Sequence, residues 1–157
     1  MGHYRVMARP RILHVHSTFQ LGGKEARAVQ LMNAFGDAAE HVVVSAVPEA
    51  LAARDAIAPG ISTTFPNDHP PLTGRPAPAR LRALAGYMRR FDLVLTYNWG
   101  AMDAVMARRL FGGPPLIHHE DGFNEDEAVR QKPARVLFRR AALPAASALV
   151  VPSERLE

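Results

Sequence analysis

The sequence predicts an α/β domain built on a doubly wound, Rossmann-like parallel sheet, and three observations predict it. Short apolar runs alternate with amphipathic stretches along the 157 residues, as repeated βαβ units require. The runs are continuously apolar rather than alternating, as strands covered on both faces are. The most varied polar residues stand directly after the runs, where an open α/β sheet forms its ligand crevice.

Taken in chain order, Ile12, Leu13 and Val15 make the first strand. Gly22 and Gly23 then open a helix at Lys24, whose apolar stripe is Ala28, Leu31, Met32 and Phe35 and which ends near Gly36. Residues 41–47 (HVVVSAV) form the second strand. Pro48 and Glu49 begin a short alanine-rich helix toward Ile57, and Pro59-Gly60 stops it before a strand over 61–65. Prolines at 66, 70, 71, 76 and 78 forbid regular structure, so 66–78 is a surface loop. Leu81, Leu84, Met88 and Phe91 stripe the next helix, with Arg82 and Arg89 on a face about 100° away. A strand over 92–96 follows, then a helix striped by Met102, Val105, Met106 and Leu110 that Gly112-Gly113-Pro114 ends, then a strand over 115–119. Ala134, Leu137, Phe138 and Ala141 stripe a last helix, and 148–151 is the closing strand. The expected organisation is one domain over 11–153, with 1–10 a flexible or appended N-terminus and 154–157 the truncated start of an interdomain region.

Hydrophobic residues at 48% support a real core. No apolar run reaches the length of a membrane span and Met1 to Pro10 lacks an apolar signal core, so a cytoplasmic protein is expected. The chain has no cysteine, which excludes a disulfide framework and thiolate metal ligands. A net charge of +4, carried by arginine far more than lysine, favours anionic partners. No basic tract is interleaved with aromatics, so nucleic acid is not an expected partner.

Four loops should meet at one edge of the sheet. They carry His16, Ser17, Gly22 and Gly23; Tyr97, Asn98, Trp99 and Gly100; His118, His119, Glu120, Asp121, Gly122 and Phe123; and Pro152, Ser153 and Glu154. Unpaired N–H groups at a helix start near Gly22, Gly23 and Lys24 suit an anion. Tyr97, Asn98 and Trp99 suit a sugar or ring, or else plug the end of the sheet. His118 and His119 alternate across the strand and cannot both enter one site. His14 and His16 share a face and, with Asp121 or His119, give a third reading as a metal hydrolase; no metal is expected. A nicotinamide-dependent reading is disfavoured, because the glycine fingerprint is missing and Ala46 and Val47 stand where an acidic ribose ligand would.

In this order the features resemble the N-terminal domain of GT-B fold, retaining, nucleotide-sugar-dependent glycosyltransferases of glycosyltransferase family 4, over nearly the whole chain. The marks are Gly22-Gly23-Lys24-Glu25-Ala26-Arg27, the strand and loop Leu93 to Trp99, His119 to Phe123, and Ala148 to Glu154. The resemblance implies that Gly22, Gly23 and Lys24 flank the donor diphosphate and that Asp121, with His119, holds the catalytic position. His16, Tyr97, Asn98, Trp99, Glu120 and Gly122 would contact acceptor or sugar. It implies no cofactor beyond the nucleotide-sugar substrate, a carbohydrate or lipid-linked acceptor, and a donor-binding C-terminal domain or separate chain as partner. Arg82 and Arg89, with Arg135, Arg139 and Arg140, would face the inner membrane surface in a peripheral contact. The competing reading is a non-catalytic module that binds a phosphorylated ligand.

Overall fold

The computed structural model describes residues 8–121 and 132–151, so Gly122, Phe123, Pro152, Ser153 and Glu154 lie outside the described residues. The elements are β1 (Arg11–His16), α1 (Gly23–Phe35), β2 (Glu40–Ser45), β3 (Thr63–Thr64), α2 (Pro78–Met88), β4 (Leu93–Tyr97), α3 (Met102–Phe111), β5 (Leu116–His119), α4 (Pro133–Ala142) and β6 (Ala148–Val150). The six strands form one parallel sheet in the order β3-β2-β1-β4-β5-β6. β1 is an inner strand buried on both faces, with Leu13 in register with Val42 on one side and Val94 on the other.

Alternation along the strands splits the core in two. Leu13, Val15, Val42 and Val94 pack with Leu81, Leu84, Met88, Val105 and Leu116 under α2 and α3. Ile12, Val43, Leu95 and Tyr97 pack with Ala28, Val29 and Met32 of α1. Each fully buried Leu or Met contributes roughly 1.5–3 kcal/mol by area. Over β4 to β6 the α1 face is only partly covered, and Leu31, Phe35, Leu95, Ile117 and Val150 line an apolar groove of about 220 Å³.

The structure corrects several local expectations. The alanine-rich helix is only a 3-10 turn over Ala52–Ala56, and the strand expected over 61–65 contracts to Thr63–Thr64. β3 is an edge strand paired with β2 alone, and Phe65 turns away to meet Phe19 at 5.8 Å. Phe35 and Leu110 end their stripes exposed. On α4 most of the stripe faces outward: Ala134, Leu137 and Ala141 are exposed and only Phe138 packs on the core, beside Trp99, whereas Arg139 and Ala142 are buried. Periodicity shows which residues share a face, not which face turns inward, and here a buried carboxylate beneath α4 draws the arginine in.

The proline-rich segment does not hang free. Leu72 enters the main core at 3% exposure. Gly74 takes φ +128°, a conformation that glycine alone adopts at low cost.

Candidate active site

α1 starts at Gly23 with Gly22 as its N-cap, and no side chain caps the end by a hydrogen bond. Glu25 folds back and is buried, so a Cβ on Gly22 would lie 2.7 Å from its Oε2. Lys24 Nζ donates to the Thr18 carbonyl at 3.0 Å and pairs with Glu25. The expected diphosphate loop thus holds a carboxylate and an ammonium that offset one another. Gly23 has nothing within 4 Å of its Cβ direction, which leaves room for a ligand against the backbone.

One turn on, Arg27 Nε reaches Asp121 Oδ1 at 2.7 Å. The Asp121 backbone N–H donates to Asn98 Oδ1 at 2.7 Å, and the Asn98 N–H donates to the His119 carbonyl at 2.8 Å. Asn98 has φ +56°, tolerated better by asparagine than by most residues. It therefore ties the ends of β4 and β5 together and fixes Asp121, rather than pointing its carbonyl at a ligand. Asp121 Oδ2 is buried without a hydrogen-bond partner among the described residues.

Beneath this point lies a layer of rings on the α1 face. Tyr97 is stacked between His16 at 4.2 Å and His119 at 4.7 Å, and Phe19 meets His16 edge-on at 4.9 Å. His14 Nδ1 lies 3.0 Å from the Tyr97 hydroxyl, and His14 Nε2 lies 3.0 Å from His41 Nδ1. Burial pushes the Tyr97 phenol up and His14, His16, His41 and His119 down from their ordinary values. These imidazoles are neutral at pH 7. His16 and Tyr97, expected to meet the acceptor, are fully buried here because the ring stack covers them. His119 is nearest the surface of the layer and leaves Nδ1 without a partner among the described residues.

Alternation sends His118 and Glu120 to the opposite face, away from Asp121. His118 Nδ1 lies 2.8 Å from Thr96 Oγ1, and His118 Nε2 lies 3.2 Å from Glu120 Oε2. Since a carboxylate only accepts, Nε2–H donates to Glu120, and Nδ1 faces the Thr96 hydroxyl. Arg139 stands 3.9 Å from Glu120 Oε1 and lies with Arg135 over the Trp99 indole. The expected contacts thus divide: Gly22, Gly23, Lys24, His119 and Asp121 face α1, whereas Trp99 and Glu120 face α4. Arg82 is exposed on α2, and Arg89 donates to the Phe111 carbonyl at the end of α3. A larger concavity, about 410 Å³ over Gln20, Glu49 and Arg54, holds none of the expected residues.

Among the described residues, no group of three or more His, Asp or Glu side chains is placed to hold a metal ion. No helix among them is long and apolar enough to cross a membrane.

With this geometry in place, the comparisons decide the family. A model of the glycosyl transferase 4-like domain matches residues 22–157. The chain belongs to that family. The fold is also similar to that of a putative UDP-N-acetylglucosamine 2-epimerase from Listeria monocytogenes, with a TM-score of 0.55 at 16% identity. That match covers 94% of this chain and 40% of the epimerase chain, so this domain spans well under half of that protein. A search of curated proteins returns no match. The expected GT-B N-terminal domain and its Rossmann-like sheet therefore stand.

Sequence reasoning missed Arg27, Arg80 and Asp103 as site-building residues. Arg27 had a visible signal, since it sits one helical turn after Gly23 on the crevice side of α1. Arg80 and Asp103 had none, because they meet across 23 residues.

The turn Trp99–Ala101 is held where it is by Gly100. A Cβ there would lie 2.3 Å from Ser17 Cβ and 3.4 Å from Ser17 Cα, too near the backbone for a rotamer change to relieve. Gly100→Ala is expected to cost about 1–3 kcal/mol, read as a lower urea midpoint with unchanged slope.

Proposed function

We propose that this domain is the acceptor-binding half of a nucleotide-sugar-dependent glycosyltransferase that transfers with retention of configuration and is inactive without a donor-binding half. One observation carries the reading. The Asp121 carboxylate is fixed at the carboxyl end of the sheet by Asn98 and by Arg27, which stands one helical turn after the open Gly23, and its second oxygen is unpartnered among the described residues. A sugar hydroxyl donating to Asp121 Oδ2 and a diphosphate lying along Gly23 would suit these groups. His119, kept neutral by burial, offers a ring nitrogen to a second hydroxyl. In a retaining transfer the leaving phosphate takes the acceptor proton, so no side chain is assigned as base. The nucleotide would be held by the other half, and the acceptor is a carbohydrate, free or lipid-linked.

The test is hydrolysis and transfer with a panel of nucleotide sugars, on this chain alone and on the chain extended through its downstream coding sequence. Turnover only in the extended protein is expected. Absence of turnover in both, with a phosphorylated ligand held by the chain alone, would favour the binding module.

Gly23→Ala separates the loop's ligand role from its structural one. Alanine at a first-turn position with open space around it should leave stability unchanged or raise it by about 0.5–1 kcal/mol. The added methyl would meet the donor diphosphate, so the extended enzyme is expected to show a KM for nucleotide sugar raised several-fold with kcat less affected. An unchanged donor KM would place the diphosphate elsewhere.

A further inference from the structure

A second cavity, of about 200 Å³, opens on the other side of the Trp99–Ala101 turn and is lined by Thr73, Gly74, Trp99, Gly100 and Asp103. One side chain that does not itself line it holds two sides of it together. The Arg80 guanidinium donates to the carbonyls of Pro71 at 3.3 Å, Gly74 at 3.1 Å and Arg75 at 2.9 Å, and to Asp103 Oδ2 at 2.6 Å. A single planar fork thus clamps the proline-rich segment to the first turn of α3. The side chains of Arg80 and Asp103 are 12% and 20% exposed, so the pair is well shielded. Proline supplies no N–H with which such a segment could bond to neighbouring elements, so its carbonyls need an outside donor.

We propose that this cavity is a subsite for a neutral, hydroxyl-rich ring of the acceptor, and that Arg80 is the positioning residue that holds Gly74 and Asp103 of its lining in place. The lining combines an apolar indole with a carboxylate, a hydroxyl and backbone groups, the mixture that accommodates the apolar edge and the donor hydroxyls of a pyranose. Arg80 neutralises Asp103, and an anionic ligand would meet the carboxylate, so a phosphate is disfavoured. The cavity adjoins the crevice directly, since Gly100, which lines it, packs against Ser17 after β1. The choice of a sugar as ligand rests on the glycosyl-transfer reading.

Trp99 is the sole tryptophan of the chain, so its emission reports on this cavity without any nucleotide sugar present. The chain is titrated with methyl α-glucopyranoside and methyl α-mannopyranoside, with glycerol as the control that lacks a ring. A saturating emission change is expected for at least one glycoside, at concentrations on the order of 1–50 mM. Arg80→Met is expected to weaken it about tenfold or more while far-ultraviolet circular dichroism stays native. Arg80→Lys keeps a cation beside Asp103 but not the fork, and should not restore binding. Asp103→Asn removes the carboxylate acceptor and gives the same readout should Arg80→Met not fold. No saturable response to either glycoside, an unaltered affinity in Arg80→Met, or full rescue by Arg80→Lys overturns the proposal. A chain that binds the glycoside in this way but gains no transfer when extended sinks the transfer reading alone. An extended enzyme that transfers while Trp99 stays silent sinks the subsite alone.

Discussion

Lowering the pH from about 8 to about 4 is expected to unfold this domain, and the loss should begin near neutrality rather than in the carboxylate range. His14 is buried completely and its pKa falls to about 3, first from desolvation and then from its neighbours His41 and His119. His16 is lowered well below 6.5 by burial, His14, Lys24 and His119, and His41 is lowered by burial. His119 follows, with burial again the largest cause, although Asp121 and a backbone hydrogen bond act against it. A histidine lowered in the fold contributes nothing adverse above its unfolded pKa near 6.5. Below it, the unfolded chain takes up a proton that the native state refuses, so stability falls as pH falls.

His14 alone is linked to about 2 kcal/mol at pH 5 and roughly 4–5 kcal/mol near pH 3. Against a typical total of about 5–15 kcal/mol, that share from one residue is large, and His16, His41 and His119 act in the same direction. The hydrogen bonding points the same way. If His14 Nε2–H donates to His41 Nδ1, its Nδ1 accepts a hydrogen bond from the Tyr97 hydroxyl, and a proton added at His41 Nδ1 puts two donors face to face. The measurement is the urea midpoint at several pH values, which should drop steeply below pH 6.5. His16→Phe should raise stability at pH 7 and flatten the dependence, because both nitrogens of His16 are buried without partners among the described residues. A midpoint flat from pH 7 to pH 5 would show that the ring layer admits water or charge.

This layer marks where the sequence stopped being legible. β1, β2 and β4 could be read because a parallel strand covered on both faces must be apolar over its length, and Leu13, Val42 and Val94 are. A parallel sheet with crossover helices then follows from the alternation of elements, whereas the order β3-β2-β1-β4-β5-β6 does not. His14 and His16 could be placed on one face by period alone. That both are sealed beneath α1, stacked with Tyr97 and Phe19, depends on pairing across β1 and β4, which no local pattern encodes. The same limit applies to Glu120. It stood in the expected position, yet β5 ends at His119 and the next side chain drops to the α4 face to meet His118. Arg139 follows it inward, which reversed the face expected for α4. Arg80 was readable only as one of several basic residues on α2, because its partners are carbonyls of a loop without pattern.

In the extended enzyme, Asp121→Asn is expected to lower kcat by about 10²–10³-fold, the range that loss of one preorganised charged contact at the reacting centre produces. The substitution is isosteric and leaves intact the bond from the Asp121 backbone to Asn98. What it removes is the charge that faces Arg27 and the oxygen available to a ligand. Arg27 is 30% exposed and Asp121 is 12% exposed at the side chain, so the pair is worth on the order of 1 kcal/mol to the fold after screening by solvent. Such a loss leaves the domain folded, and thermal unfolding should shift by only a few degrees.

Arg27→Ala supplies the comparison. If the pair only ties α1 to the segment after β5, both variants should depress turnover equally, since either one breaks the tie. If Asp121 meets the substrate and Arg27 only orients it, Arg27→Ala should cost about tenfold and Asp121→Asn far more, with the double variant close to Asp121→Asn alone because the two act as a unit. Turnover within about threefold of wild type in Asp121→Asn, at unchanged donor and acceptor KM, would remove Asp121 from the chemistry. His119 would then remain as the group at this edge of the sheet best placed to meet the sugar.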